Sequence, residues 1–273
     1  MKTNQHVLAA ILTVLLLFTA PVLSQDEQTR PEFVVVTTMH RNMDNDDFDR
    51  EEWLATEKEF VDKVIRKNDH IVTYGVYPHL FTDDNTEILF VRVYRTWNDI
   101  LLAAEKNGEF IESGWPDKAK REAFFEKRAK YYSPVHSDEI YGTMDHAKLF
   151  EGDMTDDTVI YVRKNYFAFP EDGSFEEFDK FNSEFVQNVF YKNEYIKGYY
   201  PHSHRYGANS SDFIEAFYLD SLDNLGKMFD RNDELTKAYY NEARRKELGK
   251  KSRKYFTGVH ADALYSVVPE LRK

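Results

Sequence analysis

The sequence predicts an α+β protein in which two tandem βαββαβ repeats close on each other as a single-chain, pseudo-dimeric α+β barrel. Three observations lead there. Lys127 to Tyr141 (KRAKYYSPVHSDEIY) and Lys251 to Tyr265 (KSRKYFTGVHADALY) agree at seven of fifteen positions at an offset of 124, where ordinary residue usage gives about one match. A second block, Tyr74 to His79 against Lys197 to His202, matches at an offset of 123 around Tyr-Pro-His. Within each copy, strand-like and helix-like runs follow in the same order.

Phe33 to Met39 and Val159 to Val162 are β-branched or aromatic runs and hence first strands. Asp49 to Lys67 spaces Trp53, Phe60, Val61 and Val64 as one helical face, as Phe175 to Tyr191 does with Phe178, Phe181, Phe185 and Val189. Ile71 to Tyr77 and Ile196 to Tyr200 are second strands, each expected to stop at a proline that cannot donate to a ladder. Turn residues precede the third strands, Ile88 to Tyr94 and Phe213 to Leu219. Helical stretches follow at 100–106 and 117–130, then at 222–229 and 235–254. Val135 to Tyr141 and Val259 to Tyr265 close the units as fourth strands. The repeats therefore span 33–141 and 158–265, joined by an acidic linker over 142–157.

Composition narrows the function classes. The chain has 273 residues, 42% hydrophobic and 15% aromatic, enough for a substantial core. Asp and Glu outnumber Lys and Arg by 48 to 36, a net charge of −12 that opposes binding to nucleic acid or an anionic membrane. The absence of cysteine excludes disulfides, thiolate metal sites and a cysteine nucleophile. Lys2, an uncharged run from Val7 to Thr19 and the small residues up to Ser24 predict a signal peptide over 1–24. The expected product is secreted or periplasmic, with no stable membrane association after cleavage. There is no P-loop, G-x-G-x-x-G or G-x-S-x-G motif.

Strand, helix, strand, strand, helix, strand is the order of a ferredoxin-like unit. Its sheet has one bare face, and a second copy supplies the cover. In this duplication and element order the chain resembles the dimeric α+β barrel superfamily in a fused, single-chain form. The resemblance implies one of several activities: cofactor-free monooxygenation of phenolic substrates, haem binding similar to chlorite dismutase, or the poorly defined role of NIPSNAP-like proteins. Fold alone does not choose among them.

Candidate catalytic residues lie in the repeated His-x-Asp pairs, His136 with Asp138 and His260 with Asp262. Residues i and i+2 share a strand face, so each carboxylate can orient its imidazole as a base. Since Val259, Ala261, Ala263 and Tyr265 form an apolar opposite face suited to lie beneath helices, His260 and Asp262 are expected to face the barrel interior. His79 and His202, after Tyr-Pro, are expected on loop rims as ligand-binding candidates. Arg92 and Tyr94 share a face of the third strand with Phe90, where the second copy is expected to have Ile214, Ala216 and Tyr218 at the corresponding positions, and Arg163 lies on that copy's first strand. The bland reading pairs Arg92 and Arg163 with carboxylates such as Glu215 at sheet edges. His202-Ser203-His204 is a weak metal signal, and no metal site is assigned; the cofactor is left open.

The leading reading is a small-molecule-binding barrel whose interior takes a largely apolar or aromatic ligand, with His260 or His136 as base in a monooxygenase-like reaction. Haem binding through one histidine and a non-catalytic secreted interaction protein are the alternatives.

Overall fold

The computed structural model describes residues 30–273, and the signal peptide expected over 1–24 lies outside them. Pro31–Lys273 is one compact unit. Its first repeat contains β1 (Phe33–Arg41), α1 (Arg50–Phe60), β2 (Thr73–Phe81), β3 (Glu87–Tyr94), α2 (Trp97–Gly114), α3 (Lys118–Ala129) and β4 (Tyr132–Thr143). The second contains β5 (Val159–Phe167), α4 (Phe175–Phe185), β6 (Gly198–Tyr206), β7 (Asp212–Leu219), α5 (Asn224–Tyr239), α6 (Glu242–Tyr255) and β8 (Phe256–Ser266). The eight strands form a closed antiparallel barrel in the order β1-β3-β2-β8-β5-β7-β6-β4. This is the tandem ferredoxin-like α+β barrel that the duplication predicts.

Side-chain chemistry accounts for most element limits. Asp49, Thr96, Asp117, Ser174 and Asn241 each accept a backbone N–H in the first turn of the helix that follows. Asn241 also marks a correction: the stretch 235–254 is two helices, because Tyr240 turns extended before the new cap. Both α1 and α4 pass into a π-helical turn, closed by Arg66 N–H to Val61 O and Tyr191 N–H to Val186 O. That turn buries Val61, Val64 and Ile65 in one copy and Val186, Val189 and Phe190 in the other.

The prolines do not end the second strands as expected. Pro78 pairs with Ile88 inside β2, and Pro201 pairs with Glu215 inside β6. The ladder to the opposite repeat begins only at His79 and His202, so the missing N–H falls where the second edge is not yet laddered. The true structural offset here is 125. Tyr74 opposite Arg92 corresponds to Tyr199 opposite Phe217, and His79 opposite Tyr265 corresponds to His204 opposite Tyr141. The Tyr-Pro-His match is therefore out of register, and His202 takes the place of Tyr77.

A buried asparagine holds the turn after each π segment. Asn68 donates to Ala103 O and Asn107 Oδ1, at 2.9 and 2.8 Å. Asn193 does the same to Met228 O and Asn232 Oδ1, both at 2.9 Å. The segments after β4 and β8 then cross to the other repeat. Lys148 exchanges two backbone hydrogen bonds with Tyr199, and its Nζ donates to Asn193 O at 3.1 Å. Lys273 exchanges two with Tyr74, and its Nζ donates to Asn68 O at 2.5 Å. Each repeat thus ends in a strap that secures the buried asparagine turn of the other.

Asn68→Ala and Asn193→Ala should each lower stability by about 1–3 kcal/mol, the cost of leaving buried carbonyls unpaired. Denaturant unfolding monitored by circular dichroism and tryptophan fluorescence should stay one shared transition. Since all three tryptophans lie in the first repeat, a fluorescence midpoint that ignores Asn193→Ala would contradict the reciprocal strapping.

Candidate functional site

The strands have two distinct faces. Tyr74, Val76, Ile88, Phe90 and Tyr94 pack with residues of α1 in one helix-covered core, and Tyr161, Tyr199, Phe213 and Phe217 pack with residues of α4 in the other. The alternate positions point into the barrel. There Tyr77, Ile160 and Tyr265 cluster with Leu89, Val91, Val162, Ala216, Tyr218 and Ala263. The last six all retain accessible surface although they line the inside of a closed barrel, so the lumen is not filled. Ala216, Val162 and Ala263 lie side by side across β7, β5 and β8, where small side chains leave room.

Hydroxyl groups cross the lumen. Tyr77 and Tyr218 meet at 3.2 Å between oxygens, and the Tyr200 ring stands edge-on to Tyr218. The Tyr77 ring folds back over Gly75, where a Cβ would lie 2.2 Å from its hydroxyl. Burial, followed by the neighbouring Tyr77, holds the Tyr218 phenol well above its ordinary range.

One end of the lumen is closed by Met154, Phe150 and Val267. The other end, where β1, β2, β5 and β6 finish, is polar. Two rows of matching chemistry meet there. In one, Tyr265 pairs with His79, Glu87 pairs with His40, and the Tyr265 hydroxyl donates to Glu87 Oε2 at 3.0 Å. In the other, Tyr141 pairs with His204, Asp212 pairs with Tyr166, and the Tyr141 hydroxyl donates to Glu139 and, at 3.4 Å, to Asp212 Oδ2. Lys164 Nζ lies 3.2 Å from the same Asp212 oxygen. An open depression of ≈ 470 Å³, lined in part by His40, Asp84 and Val135, adjoins this end.

The sequence candidates divide between the two faces. His79, His202 and Tyr218 lie on the lumen face, with His79 and His202 inside strands and not on loop rims. Arg92, Tyr94 and Arg163 lie on the helix face. Arg92 stacks on Tyr74 and donates to Thr37 Oγ1, Tyr94 is buried, and Arg163 is bound to the buried Glu215 at 2.8 Å. Asn165 and Tyr199 complete the shell around Glu215. By ladder position Arg92 corresponds to Phe217, and Tyr218 to Val93, which corrects the pairing with Ile214 and Ala216.

His260 and Asp262 do not face the interior. Ala261, Ala263 and Tyr265 do, because they must meet the apolar lumen, which places His260 and Asp262 on the outer face with Arg163. The pair is in contact at 3.2 Å, with the His260 side chain 55% exposed, and Tyr161 donates to the other Asp262 oxygen at 2.5 Å. His136 and Asp138 repeat this outside the first half, at 3.5 Å, with Thr37 as the hydroxyl donor at 2.6 Å. These pairs stand on the wrong side of the sheet to act on a molecule in the lumen. The residues that sequence reasoning missed are Glu87, Asp212, Tyr141 and Tyr265. The repeated acid that opens each third strand was the available signal.

No family model and no curated protein matches the chain. Solved structures match over nearly its whole length. A proposed monooxygenase of Fusobacterium nucleatum aligns with a TM-score of 0.55 and 10% identity, covering 87% of this chain and 92% of that one. A proposed monooxygenase of Lactobacillus acidophilus gives 0.53 and 9%, covering 87% and 94%. A chlorite dismutase variant from Candidatus Nitrospira defluvii gives 0.51 and 14%, covering 89% and 95%. At these identities the likeness establishes the fold.

The buried phenols carry a pH prediction. Burial first, then neighbouring carboxylates or tyrosines, raises Tyr141, Tyr199, Tyr218 and Tyr265. The unfolded chain releases these protons near pH 10 and the folded chain keeps them, so their contribution is full below pH 10 and is lost as pH rises above it. Tyrosinate absorbance should therefore lag and then rise together with loss of circular dichroism. Smooth titration of all tyrosines near pH 10 in a folded protein would contradict this burial.

Proposed function

We propose that this chain is an exported barrel protein that binds a small, largely apolar or aromatic molecule in its lumen. The observation that carries the reading is the unfilled lumen: apolar walls with accessible surface, a tyrosine pair near the closed end and a polar mouth at the other. Ligand sites commonly have that character, apolar walls with a few convergent polar groups. Should the molecule be turned over in the manner of cofactor-free monooxygenases, the base would come from His79, His202 or His204 on the lumen face. His136 and His260 would not reach it.

Haem binding is the second reading, supported by the fold shared with chlorite dismutase. In the helix-covered layer of the second repeat, however, the rings of Phe178, Phe190, Tyr199, Phe213, Phe217 and Phe256 already touch one another. Among the described residues no histidine is buried. That layer does not fit a haem with an enclosed histidine ligand, so no step is routed through one.

Binding is tested with N-phenylnaphthylamine, a neutral dye that fluoresces in apolar sites. The protein spanning residues 25–273 should enhance its emission, and Ala216→Trp, which fills the lumen, should weaken binding by about tenfold or more. His260→Ala should leave it unchanged. Dye binding that survives Ala216→Trp in a folded protein would place the site elsewhere, and a Soret band on haemin titration would favour the second reading. Export is tested by N-terminal sequencing of the secreted protein, with Gln25 expected first.

A further inference from the structure

We infer that the lumen selects an organic cation, a protonated amine on an apolar or aromatic body, with its N–H donors taken by Asp212 at the polar mouth. This deepens the lumen-binding reading and rests on it. Asp212 is 1% exposed, and its two oxygens are treated differently. Oδ2 is bound by Lys164, with the Tyr141 hydroxyl 3.4 Å away, whereas Oδ1 is buried and has no hydrogen-bond partner. The neighbouring ring on the next strand, His204, likewise has Nε2 buried without a partner. A buried carboxylate oxygen left unpaired is costly, so the position calls for a donor that the chain itself does not supply.

The surroundings decide which donor. On the lumen face of the described strands the carboxylates are Glu87, Glu139 and Asp212, and the cation among them is Lys164. Three carboxylates stand against Lys164 at the mouth, while the second cation within electrostatic reach of the lumen, Arg272, lies near Tyr200 and Tyr218 at the closed end, so the mouth favours a positive ligand and opposes a carboxylate or phosphate. Lys164 shows the chemistry in miniature: an ammonium lies 3.2 Å from Oδ2 and leaves the Oδ1 lone pairs free. An ammonium offers three donors in a compact head, and a hydrogen bond between ionised partners is about twice as strong as a neutral one. Further in, Ile214, Ala216, Val162 and Ala263 line the lumen on β7, β5 and β8 and suit an apolar or aromatic body. A metal ion is the weaker reading, since among the described residues no three acidic or histidine side chains converge as a metal site.

The test compares two probes of one shape, naphthylmethylamine, protonated at neutral pH, and naphthylmethanol, by titration calorimetry on residues 25–273. The amine should bind at least about tenfold tighter. Asp212→Asn should bring the two within about twofold while the alcohol's affinity stays as in the unaltered protein. Lys164→Met, which removes the chain's own competing ammonium, should tighten the amine and not the alcohol. That variant decides the matter should Asp212→Asn fail to fold. Equal binding of the two probes, or an amine preference that survives Asp212→Asn, overturns the cation inference and leaves the lumen reading standing. If neither probe binds, both fall together.

Discussion

Each repeat builds a four-stranded sheet with helices on one side, and the whole molecule depends on covering the other side of both sheets at once. The ladders that do so are short. β2 meets β8 around His79 and Phe81, and β4 meets β6 over Ile140 to Thr143. Such brief ladders gain support from the straps, in which Lys148 and Lys273 cross to the opposite repeat and bond the buried asparagine turn there. Neither half then presents a complete surface of its own, and closure of the lumen is a property of the pair.

Duplication gave two equivalent frameworks that have diverged inside. In the first helix-covered core, Glu57 is bound bidentately by Arg128 and also by Tyr132, which accepts from Trp53. In the second, the buried carboxylate is Glu215 on a strand, held by Arg163, Asn165 and Tyr199. Buried charges of this kind add little net stability, yet removing one partner is costly because it leaves the other charge buried and unpaired. Tyr199 finds Glu215, whereas its counterpart Tyr74 has a hydroxyl without a partner because Phe90 stands where Glu215 would be. The lumen diverged too: Tyr77 and Gly75 on one side face His202 and Tyr200 on the other by repeat position.

The two faces of one strand separate two kinds of polar chemistry. On the outside, the His-x-Asp pairs are exposed and braced by hydroxyls from the neighbouring strand. On the inside, the Tyr, His and acid rows stand at the mouth of an apolar space, where low dielectric strengthens each charge. A group's chemical reach here is set by strand parity, and a change of one residue in register would exchange the two sets.

The duplication, the order of elements and the barrel are legible in the sequence, because hydrophobic period and turn chemistry are local properties that the chain carries twice, once in each repeat. The sequence also contained the His-x-Asp pairs and the partnership of Arg163 with Glu215. Which way those pairs point was decided by tertiary structure. Ala261 and Ala263 are small and apolar, a pattern that suits a helix-covered face and a lumen equally, and only closure of the barrel distinguishes them. The Tyr-Pro-His match read at an offset of 123 misled for a similar reason, since identical letters can sit one turn of the pleat apart while hydrogen-bond ladders fix the correspondence at 125. Asp212, His204 and Tyr141 come from three strands of two repeats, far apart in the chain. Their meeting depends on the pairing of β4 with β6, a contact between repeats that no local pattern in the sequence encodes.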